Sequence, residues 1–144
     1  MKKILITLII LIVAANIFAQ QQGVVTPDNK LYSRFQAEDI NNMLSLSPQE
    51  IEYWNWFVDN GFVVKKIEPE AARKYPLLKF FDKDTKTAGE AEVAYDESNF
   101  NIMSYAFDIS LNDANLYRIG ETGYVVGIYS SSTLVSNYNK YLGR

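Results

Sequence analysis

Two aspartates follow an apolar run in the segment LLKFFDKDTKT, which extends from Leu77 to Thr87. The D-x-D-x-T spacing of Asp82 and Asp84 is typical of phosphatases in which one aspartate is the nucleophile and the other the acid/base partner. Such enzymes place the motif after the first strand of a parallel α/β domain. Only 60 residues follow Asp84, and their pattern predicts an antiparallel meander and one helix. We therefore interpret both aspartates as solvated loop residues, with a weak, loop-borne calcium site as the alternative.

The residue types that are missing exclude several kinds of catalytic site. The sequence has no histidine and no cysteine, which rules out a Ser-His-Asp triad, a thiol nucleophile and a zinc site with His or Cys ligands. It also lacks the two glycine-rich phosphate-binding patterns. Among the 17 acidic residues, no spacing marks a glycosidase pair. We therefore predict no catalytic residue, no cofactor and no metal site, and we expect that the protein is not an enzyme.

An aromatic helix supplies the candidate residue for recognition. In IEYWNWFVDNGF, Ile51 to Phe62, a helical wheel gives one apolar arc. Its members are Ile51, Tyr53, Trp54, Phe57 and Val58. Trp56 falls outside this arc, so we predict it as a partner-facing anchor whose substitution by alanine leaves folding nearly intact; the alternative is a core or boundary position. A tryptophan buried in an interface contributes on the order of 2 kcal/mol or more.

The elements predicted to position these residues form an α+β domain. Two helices come first, from Ser33 to about Leu44 with Ser33 as the cap, and from Ser47 to about Asn60 with Gly61 as a left-handed stop. The segments that follow are a strand Phe62–Ile67, a helical turn Pro69–Lys74, a short strand Leu77–Phe81 and a polar excursion Asp82–Asn99 with a short helix near Gly89–Val93.

The C-terminal part of the chain predicts an antiparallel β-meander of three to four strands and a closing amphipathic helix. Asn101–Ser110 alternates apolar and polar side chains. The glycine-bounded loop GETG joins Leu116–Ile119 to Tyr124–Tyr129. The last helix begins at Ser131 or Ser132 and should close over the sheet. Its predicted apolar arc contains Leu134, Val135, Tyr138, Tyr141 and Leu142.

The first 19 residues have the parts of a secretory signal peptide. A basic start precedes the apolar run Ile4–Val13, and we place cleavage after Ala19, with Ala15 as the alternative. An uncleaved anchor is the other interpretation, but an apolar segment of about 16 residues is short against the ~20 that span a bilayer. We expect a periplasmic or secreted protein with no stable membrane span after cleavage. The predicted organisation is a signal peptide at 1–19, a flexible leader at 20–32 and a single domain at 33–144.

Net charge narrows the range of partners. Removing two leader lysines from the 14 basic residues leaves 12 against 17 acidic ones, a net charge of −5. Nucleic acid and anionic lipid need clustered positive charge, so neither is expected. Seven basic residues lie between Lys65 and Lys86, whereas none lies between Thr87 and Tyr117. This pattern suits a protein partner of matching charge, and the alternative is two solvated surfaces that neutralise each other.

Two segments together resemble a small family of exported proteins. They are LSPQEIEYWNWFVDNGFVV and LYRIGETGYVVGIYSSSTLVSNYNKY, together 45 of the 125 residues that follow Ala19. The family is associated with the outer-membrane type IX secretion and gliding apparatus of certain Gram-negative bacteria. The shared motifs are structural (a capped aromatic helix, a glycine hairpin and a closing helix) and bring no catalytic residues. The resemblance implies a periplasmic accessory protein or a subunit of an envelope complex.

Three functional hypotheses follow. The leading one is a non-enzymatic periplasmic protein-binding or accessory subunit of a cell-envelope complex, linked to protein secretion or gliding, whose partner is another envelope or outer-membrane protein. The alternative is a cell-wall or glycan-binding module, or an enzyme that uses carboxylates. The third is an edge-strand interaction, in which Phe62–Ile67 or Leu116–Ile119 pairs with a partner strand.

Overall fold

The computed structural model describes residues 29–91 and 95–144, so the predicted signal peptide and most of the leader lie outside the described residues. The predicted α+β class is confirmed: these ranges hold four helices and two antiparallel sheets of three strands each. The helices are α1 (Ala37–Leu46), α2 (Pro48–Asn60), α3 (Pro69–Ala72) and α4 (Ser131–Tyr141). The strands are β1 (Phe62–Lys66), β2 (Lys79–Asp82), β3 (Thr87–Ala91), β4 (Tyr105–Ala106), β5 (Asn115–Ile119) and β6 (Tyr124–Ile128). Within the same ranges, no helix has the length and apolar character that a bilayer crossing requires.

The first helix begins later than the sequence predicted. Asn29 caps a 3₁₀ turn at Lys30–Ser33, where its Oδ1 accepts a hydrogen bond from the Leu31 N–H at 2.8 Å. Helix α1 then starts at Ala37, and the Gln36 N–H donates to Asp39 Oδ2 at 3.1 Å. The prediction that Ser33 caps this helix is wrong, because a capping box of Gln36 and Asp39 bonds the first-turn amides instead.

Helix α2 has the predicted bounds but ends for a different reason. Pro48 occupies its first turn, while the Ser47 side chain makes no cap hydrogen bond. Gly61 follows the helix with φ −82°, so the predicted left-handed stop is wrong. A Cβ at Gly61 would lie 2.2 Å from the Phe57 ring. The glycine is therefore needed because the ring packs against the backbone, not because of a positive φ.

The first sheet has the strand order β1–β6–β5 and contains the predicted hairpin. Its register pairs Val126 with Val64 on one side and with Tyr117 on the other. Gly120 and Gly123 bound the connecting loop with φ +55° and +78°, a left-handed backbone that glycine adopts without strain. The prediction of a glycine-bounded hairpin is therefore confirmed.

The two strands predicted as edge strands, β1 and β5, lie at the two edges of this sheet. Their outer sides differ in whether backbone hydrogen bonds reach them. Two backbone hydrogen bonds join Arg118 of β5 to the segment 76–78. At the end of β1, the Ile67 N–H donates a hydrogen bond at 2.9 Å on the side that faces β6. In an antiparallel pair, successive residues direct their backbone amide and carbonyl groups to opposite sides. The amide and carbonyl groups of Val64 and Lys66 therefore point away from β6. Within the described ranges, no backbone hydrogen bond reaches that outer side. The two lysines that end β1 are exposed.

The second sheet, β3–β2–β4, replaces much of the predicted polar excursion. Thr87–Ala91 forms strand β3 against β2, so the helix predicted near Gly89 is wrong, and residues 92–94 lie outside the described residues. The sequence TAGEA carries no apolar alternation, and its strand conformation comes from pairing with β2. The turn between the two strands contains Lys86, with φ +56°.

The long strand predicted over Asn101–Ser110 is also wrong. Ile102–Ser104 forms a 3₁₀ turn, and only the two residues of β4 pair in the second sheet. Asn101 explains the difference, because its Oδ1 accepts a hydrogen bond from the Met103 N–H at 3.1 Å and so favours a turn over a strand. Met103 and Phe107 are nevertheless buried, as expected of one apolar face. The predicted meander is therefore divided between two sheets.

The C-terminal helix packs against α2. Ser130 caps it, with Oγ accepting a hydrogen bond from the Thr133 N–H at 3.3 Å, so neither of the serines predicted as caps has that role. The Tyr138 ring lies 5.2 Å from both the Tyr53 and the Trp56 rings. The predicted apolar arc is only partly buried: Leu134 enters the core, whereas Val135 and Tyr141 are exposed. One core cluster includes Ile40 of α1, Phe57 of α2, Tyr105 of the second sheet and Val126 of the first.

Candidate functional site

A groove of about 820 Å³ follows the exposed side of α2 and ends at the last helix. It contains Trp56, the residue that the sequence predicted as an anchor. Two rings, two carboxylates and three amides line it, namely Trp56, Tyr141, Glu52, Asp59, Gln49, Asn55 and Asn60. Leu44, Pro48 and Ile51 complete the lining. We call this surface the α2 groove.

The Trp56 ring is buried, with 7% of the residue exposed, so the prediction that it lies outside the apolar side of α2 is wrong. The helical wheel assumed one buried side, but α4 covers a second. The Tyr138 ring lies 5.2 Å from the Trp56 ring, and the Tyr141 ring lies 6.4 Å from it. That Trp56 contacts a partner stays a prediction, and the ring is already held within the protein.

One edge of Trp56 nevertheless reaches the groove. No described residue accepts a hydrogen bond from its indole N–H. Within the described ranges, every buried side-chain nitrogen and oxygen has a hydrogen-bond partner, so this N–H must be accessible to solvent. The buried Trp56 ring therefore supplies an apolar floor to the groove.

The wall of the groove consists mainly of hydrogen-bond acceptors. Asp59 accepts from Lys30 Nζ at 3.5 Å in an exposed pair, which contributes little to stability. Asn55 Oδ1 accepts from Asn29 Nδ2 at 2.9 Å. Glu52 makes no hydrogen bond or ion pair with any described residue, and the groove lining contains no lysine or arginine. The wall therefore favours a cationic or donor-rich ligand.

Tyrosines of α4 form the far end of the groove. Tyr141 is 61% exposed, and its ring is stacked at 6.0 Å on Tyr138. Burial, together with the nearby Glu52 carboxylate, raises the pKa of Tyr138 above its ordinary value. Tyr138 therefore remains neutral at physiological pH, and Tyr141 presents an aromatic surface next to it.

The two groove carboxylates are poorly placed for catalysis. Glu52 and Asp59 belong to the same helix. Seven residues of α-helix separate them by ~10.5 Å along the axis. Glycosidases instead place two carboxyl groups on opposite sides of the scissile bond. The arrangement fits binding better than bond cleavage.

The aspartates of the D-x-D-x-T segment organise a turn. Asp82 Oδ1 accepts from the N–H of Thr85 at 3.1 Å and of Asp84 at 2.9 Å, and these bonds lower the pKa of Asp82 below its usual value. Asp84 Oδ1 accepts from Gln36 Nε2 at 2.5 Å, which ties the β2–β3 turn to the start of α1. Residues 29–91 and 95–144 contain no group of three or more acidic residues placed to hold a metal ion.

The basic and acidic segments found in the sequence do not neutralise each other through ion pairs. In the described part of the chain, the ion pairs are Lys30–Asp59, Arg73–Glu70, Arg73–Glu121 and Arg118–Glu121. None of these joins a basic residue of 65–86 to an acidic residue of 87–117. Several cations of the basic segment therefore remain unpaired on the surface.

The groove could not be predicted from the sequence, because residues of three helices line it. Glu52 lies outside the predicted apolar arc of α2, and Tyr141 was predicted in the apolar arc of α4. Their proximity depends on the contact between α2 and α4, which neither helix reveals by itself. No family model matches the chain, and no curated protein or solved structure matches it either.

Proposed function

We propose that this chain is a non-enzymatic accessory protein of the bacterial cell envelope, periplasmic or secreted, that binds another envelope protein through the α2 groove. Its role is in protein secretion or gliding, as the resemblance to proteins of the type IX apparatus implies. The observation that carries the binding proposal is the groove itself, whose lining contains Trp56 and a Glu52 that forms no ion pair with any described residue.

The proposed partner segment carries an exposed lysine or arginine. Glu52 provides a carboxylate for such a cation, and the exposed ring of Tyr141 provides an aromatic face on which it can rest. Cations over aromatic rings gain about 0.5–1 kcal/mol at exposed sites and more when they are desolvated. Charge complementarity of this kind mainly determines partner choice and association rate.

The experiment is affinity purification of the tagged full-length protein from its native envelope, followed by mass spectrometry and then by calorimetry with the purified partner. Glu52→Lys should abolish stoichiometric capture, because it places a cation where the partner's cation binds. Glu52 is exposed on α2, so this change should leave the fold intact.

Asp113→Lys is the matched control, since Asp113 lies in an exposed loop away from the groove and the substitution makes the same change in charge. Capture should survive in this variant. Equal capture by the wild type and by Glu52→Lys would remove the α2 groove from the binding site. A protein that elutes alone in every case would contradict the accessory role.

A glycan-binding module is the second candidate, and the exposed Tyr141 ring favours it. Sugars stack on exposed aromatic rings, donate hydrogen bonds to carboxylates, and both donate to and accept from side-chain amides. The amides of Gln49 and Asn55 lie along the same groove as Tyr141. This candidate also agrees with a location in the cell envelope.

Isolated peptidoglycan and a glycan panel distinguish the two candidates. Under glycan binding, wild-type protein should be retained, and Tyr141→Ala should lose retention because the stacking ring is gone. Tyr129→Ala, which removes a half-buried tyrosine outside the groove, serves as the control. Absence of wild-type retention on every glycan would refute this candidate.

A further inference from the structure

The second feature that suggests a ligand is the half-buried guanidinium of Arg34. Its central carbon lies 4.5 Å from the centre of the Phe81 ring and 4.4 Å from that of Phe107. Its Nη1 donates a hydrogen bond to the Tyr105 carbonyl at 3.0 Å. This is the one acceptor for Arg34 within residues 29–91 and 95–144, although a guanidinium carries five N–H donors.

The position of Arg34 is fixed by well-packed neighbours. The Phe107 ring is stacked at 5.5 Å on Phe57 of α2, and Phe81 belongs to strand β2. Contact with these two rings and the hydrogen bond to the Tyr105 carbonyl restrict the movement of the guanidinium. Its position is therefore largely set before any ligand arrives.

No anion in the described ranges pairs with Arg34. Asp108 is the charged group that acts on it, and its field favours the cation, but the two side chains form no ion pair. Burial has the larger effect and lowers the pKa of Arg34 from its usual value. Arg34 stays protonated at physiological pH, since arginine remains charged in proteins. A partly desolvated cation that no carboxylate contacts directly is costly, and an anionic ligand in direct contact would offset that cost.

Arg34 faces a cleft of about 400 Å³ between the N-terminal segment and the second sheet. Lys79 and Lys86 also line this cleft, and neither forms an ion pair in the described part of the chain. Tyr117 is on the opposite side, where its hydroxyl accepts a hydrogen bond from the Asp108 N–H at 3.0 Å. Three cations and one carboxylate thus surround the space.

Two acidic residues on neighbouring elements line an adjoining cleft rather than this one. Asp39 and Glu50 line an adjoining cleft that shares Arg34 and Lys86. Asp39 is already bonded to the Gln36 amide in the capping box. Neither acid forms an ion pair with Arg34 or Lys86.

We propose that the Arg34 cleft binds a carboxylate, with the guanidinium as a two-pronged donor and Lys79 and Lys86 as supporting cations at the rim. Arginine and carboxylate have matching planar geometries, and their charge-assisted hydrogen bonds are about twice as strong as neutral ones. The site is separate from the α2 groove, so the proposal does not depend on the function assigned to that groove.

A carboxylate suits the cleft better than a phosphate. Leu77, Ala88 and Ala106 give it apolar walls beside the two phenylalanine rings. These walls favour a planar group with a single charge. Phosphate sites generally use the amides at a helix N-terminus or a glycine-rich loop, and none of the residues lining this cleft begins a helix.

The test is an NMR titration of the full-length protein, in which the side-chain Nε–Hε resonance of Arg34 is followed at constant ionic strength. Sodium glutarate and a capped glutamate peptide, N-acetyl-Glu-Gly-amide, are the probes, with inorganic phosphate and glutaramide for comparison. We expect saturable shifts with both carboxylate probes and none with glutaramide. Whether the peptide or glutarate binds more tightly indicates a protein side chain or a small acid as the source, and either result supports the proposal.

Two sets of variants complete the test. Arg34→Lys retains the charge but loses the paired N–H donors of the guanidinium. It should weaken glutarate binding by about tenfold, the loss expected for one charge-assisted hydrogen bond. Because Arg34→Lys also changes the packing, the exposed pair Lys79→Gln/Lys86→Gln provides an independent reduction of affinity. Lys74→Gln/Lys140→Gln removes the same charge elsewhere and should leave binding unchanged. Absence of saturation, tighter binding of phosphate than of glutarate, or equal affinity in all variants would overturn the proposal.

Discussion

At the scale of single residues, Trp56 has a structural task that must be separated from any task in binding. Its ring contacts two tyrosines of α4 and one of α2, and little of it reaches solvent. The residue nevertheless lines the groove. Replacing the residue therefore changes the fold and the site together, whereas replacing exposed Glu52 changes the site alone.

Trp56→Ala should lower the free energy of unfolding by about 3–5 kcal/mol, because it removes a large buried ring and leaves a cavity. Urea unfolding followed by far-UV circular dichroism measures this loss. Tyr141→Ala, which truncates a mostly exposed ring in the same groove, should cost much less. Equal stability of Trp56→Ala and the wild type would show that the ring is not packed as described.

Asp82 gives the protein part of its sensitivity to acid. Its pKa is lowered by hydrogen bonds from the Thr85 and Asp84 amides, which favour the ionised carboxylate in the folded state. The unfolded chain therefore takes up a proton first as the pH falls below the ordinary value of 3.8. We expect stability to decrease from that pH downward, and Asp82→Asn to show a shallower decrease. Unfolding measured between neutral pH and pH 3 provides the comparison; parallel curves for both proteins would contradict it.

At the scale of elements, the close packing of α2 on the following residue determines how the helix ends. Gly61 has a negative φ that any residue adopts, so its requirement is one of space. Gly61→Ala should destabilise the protein by about 1–3 kcal/mol, the usual cost of overpacking, because the new Cβ overlaps the Phe57 ring. Thermal unfolding measures the change.

Gly89→Ala is the matched control, since a Cβ at Gly89 meets nothing closer than a carbonyl oxygen at 3.7 Å. It should leave the melting temperature nearly unchanged. In a Phe57→Leu background, Gly61→Ala should lower the stability by less than it does in the wild type. The smaller leucine side chain leaves room for the new Cβ. Strictly additive effects would contradict the proposed overlap.

The contact between α2 and α4 should weaken at high pH. Burial raises the pKa of Tyr53 and of Tyr138. The nearby Tyr138 raises the pKa of Tyr53 further, and the Glu52 carboxylate raises that of Tyr138. The unfolded chain therefore releases these protons first, near pH 10.0, and stability falls as the pH rises beyond that value. Tyr138→Phe should lose less stability than the wild type between pH 8 and about pH 10.5 in urea unfolding. An equal loss in both proteins would place the alkaline sensitivity elsewhere.

Sequence patterns correctly predicted the elements whose conformation depends on nearby residues in the chain. They failed for elements whose conformation depends on pairing with a distant strand. Pro48 predicted the start of α2, and the two loop glycines predicted the β5–β6 hairpin. Strand β3 has no such signal, because its conformation depends on β2. The α2 groove could not be predicted either, since a helical wheel describes one helix and residues of three helices line the groove.

At the scale of the whole molecule, a shared core predicts cooperative unfolding. The core cluster combines side chains from the helices and from both sheets. Both tryptophans belong to α2, so their fluorescence reports on the α2 region alone. Tryptophan fluorescence and far-UV circular dichroism should therefore give coincident denaturant transitions. Earlier loss of protection at the β2 and β3 amides in hydrogen exchange would instead indicate that the second sheet unfolds as a separate unit.

The open outer side of β1 has a consequence for how copies of this protein behave when they are concentrated. A strand whose sequence begins Phe-Val-Val can serve as a template for fibril growth, and lysines that follow such a stretch act as gatekeepers against it. Lys65 and Lys66 occupy those positions and are exposed. Lys65→Thr/Lys66→Thr should therefore leave the monomer folded while it accelerates thioflavin-positive aggregation, whereas Lys74→Thr/Lys140→Thr should not. On this view the two lysines protect the protein's solubility in a crowded compartment more than they protect its own fold.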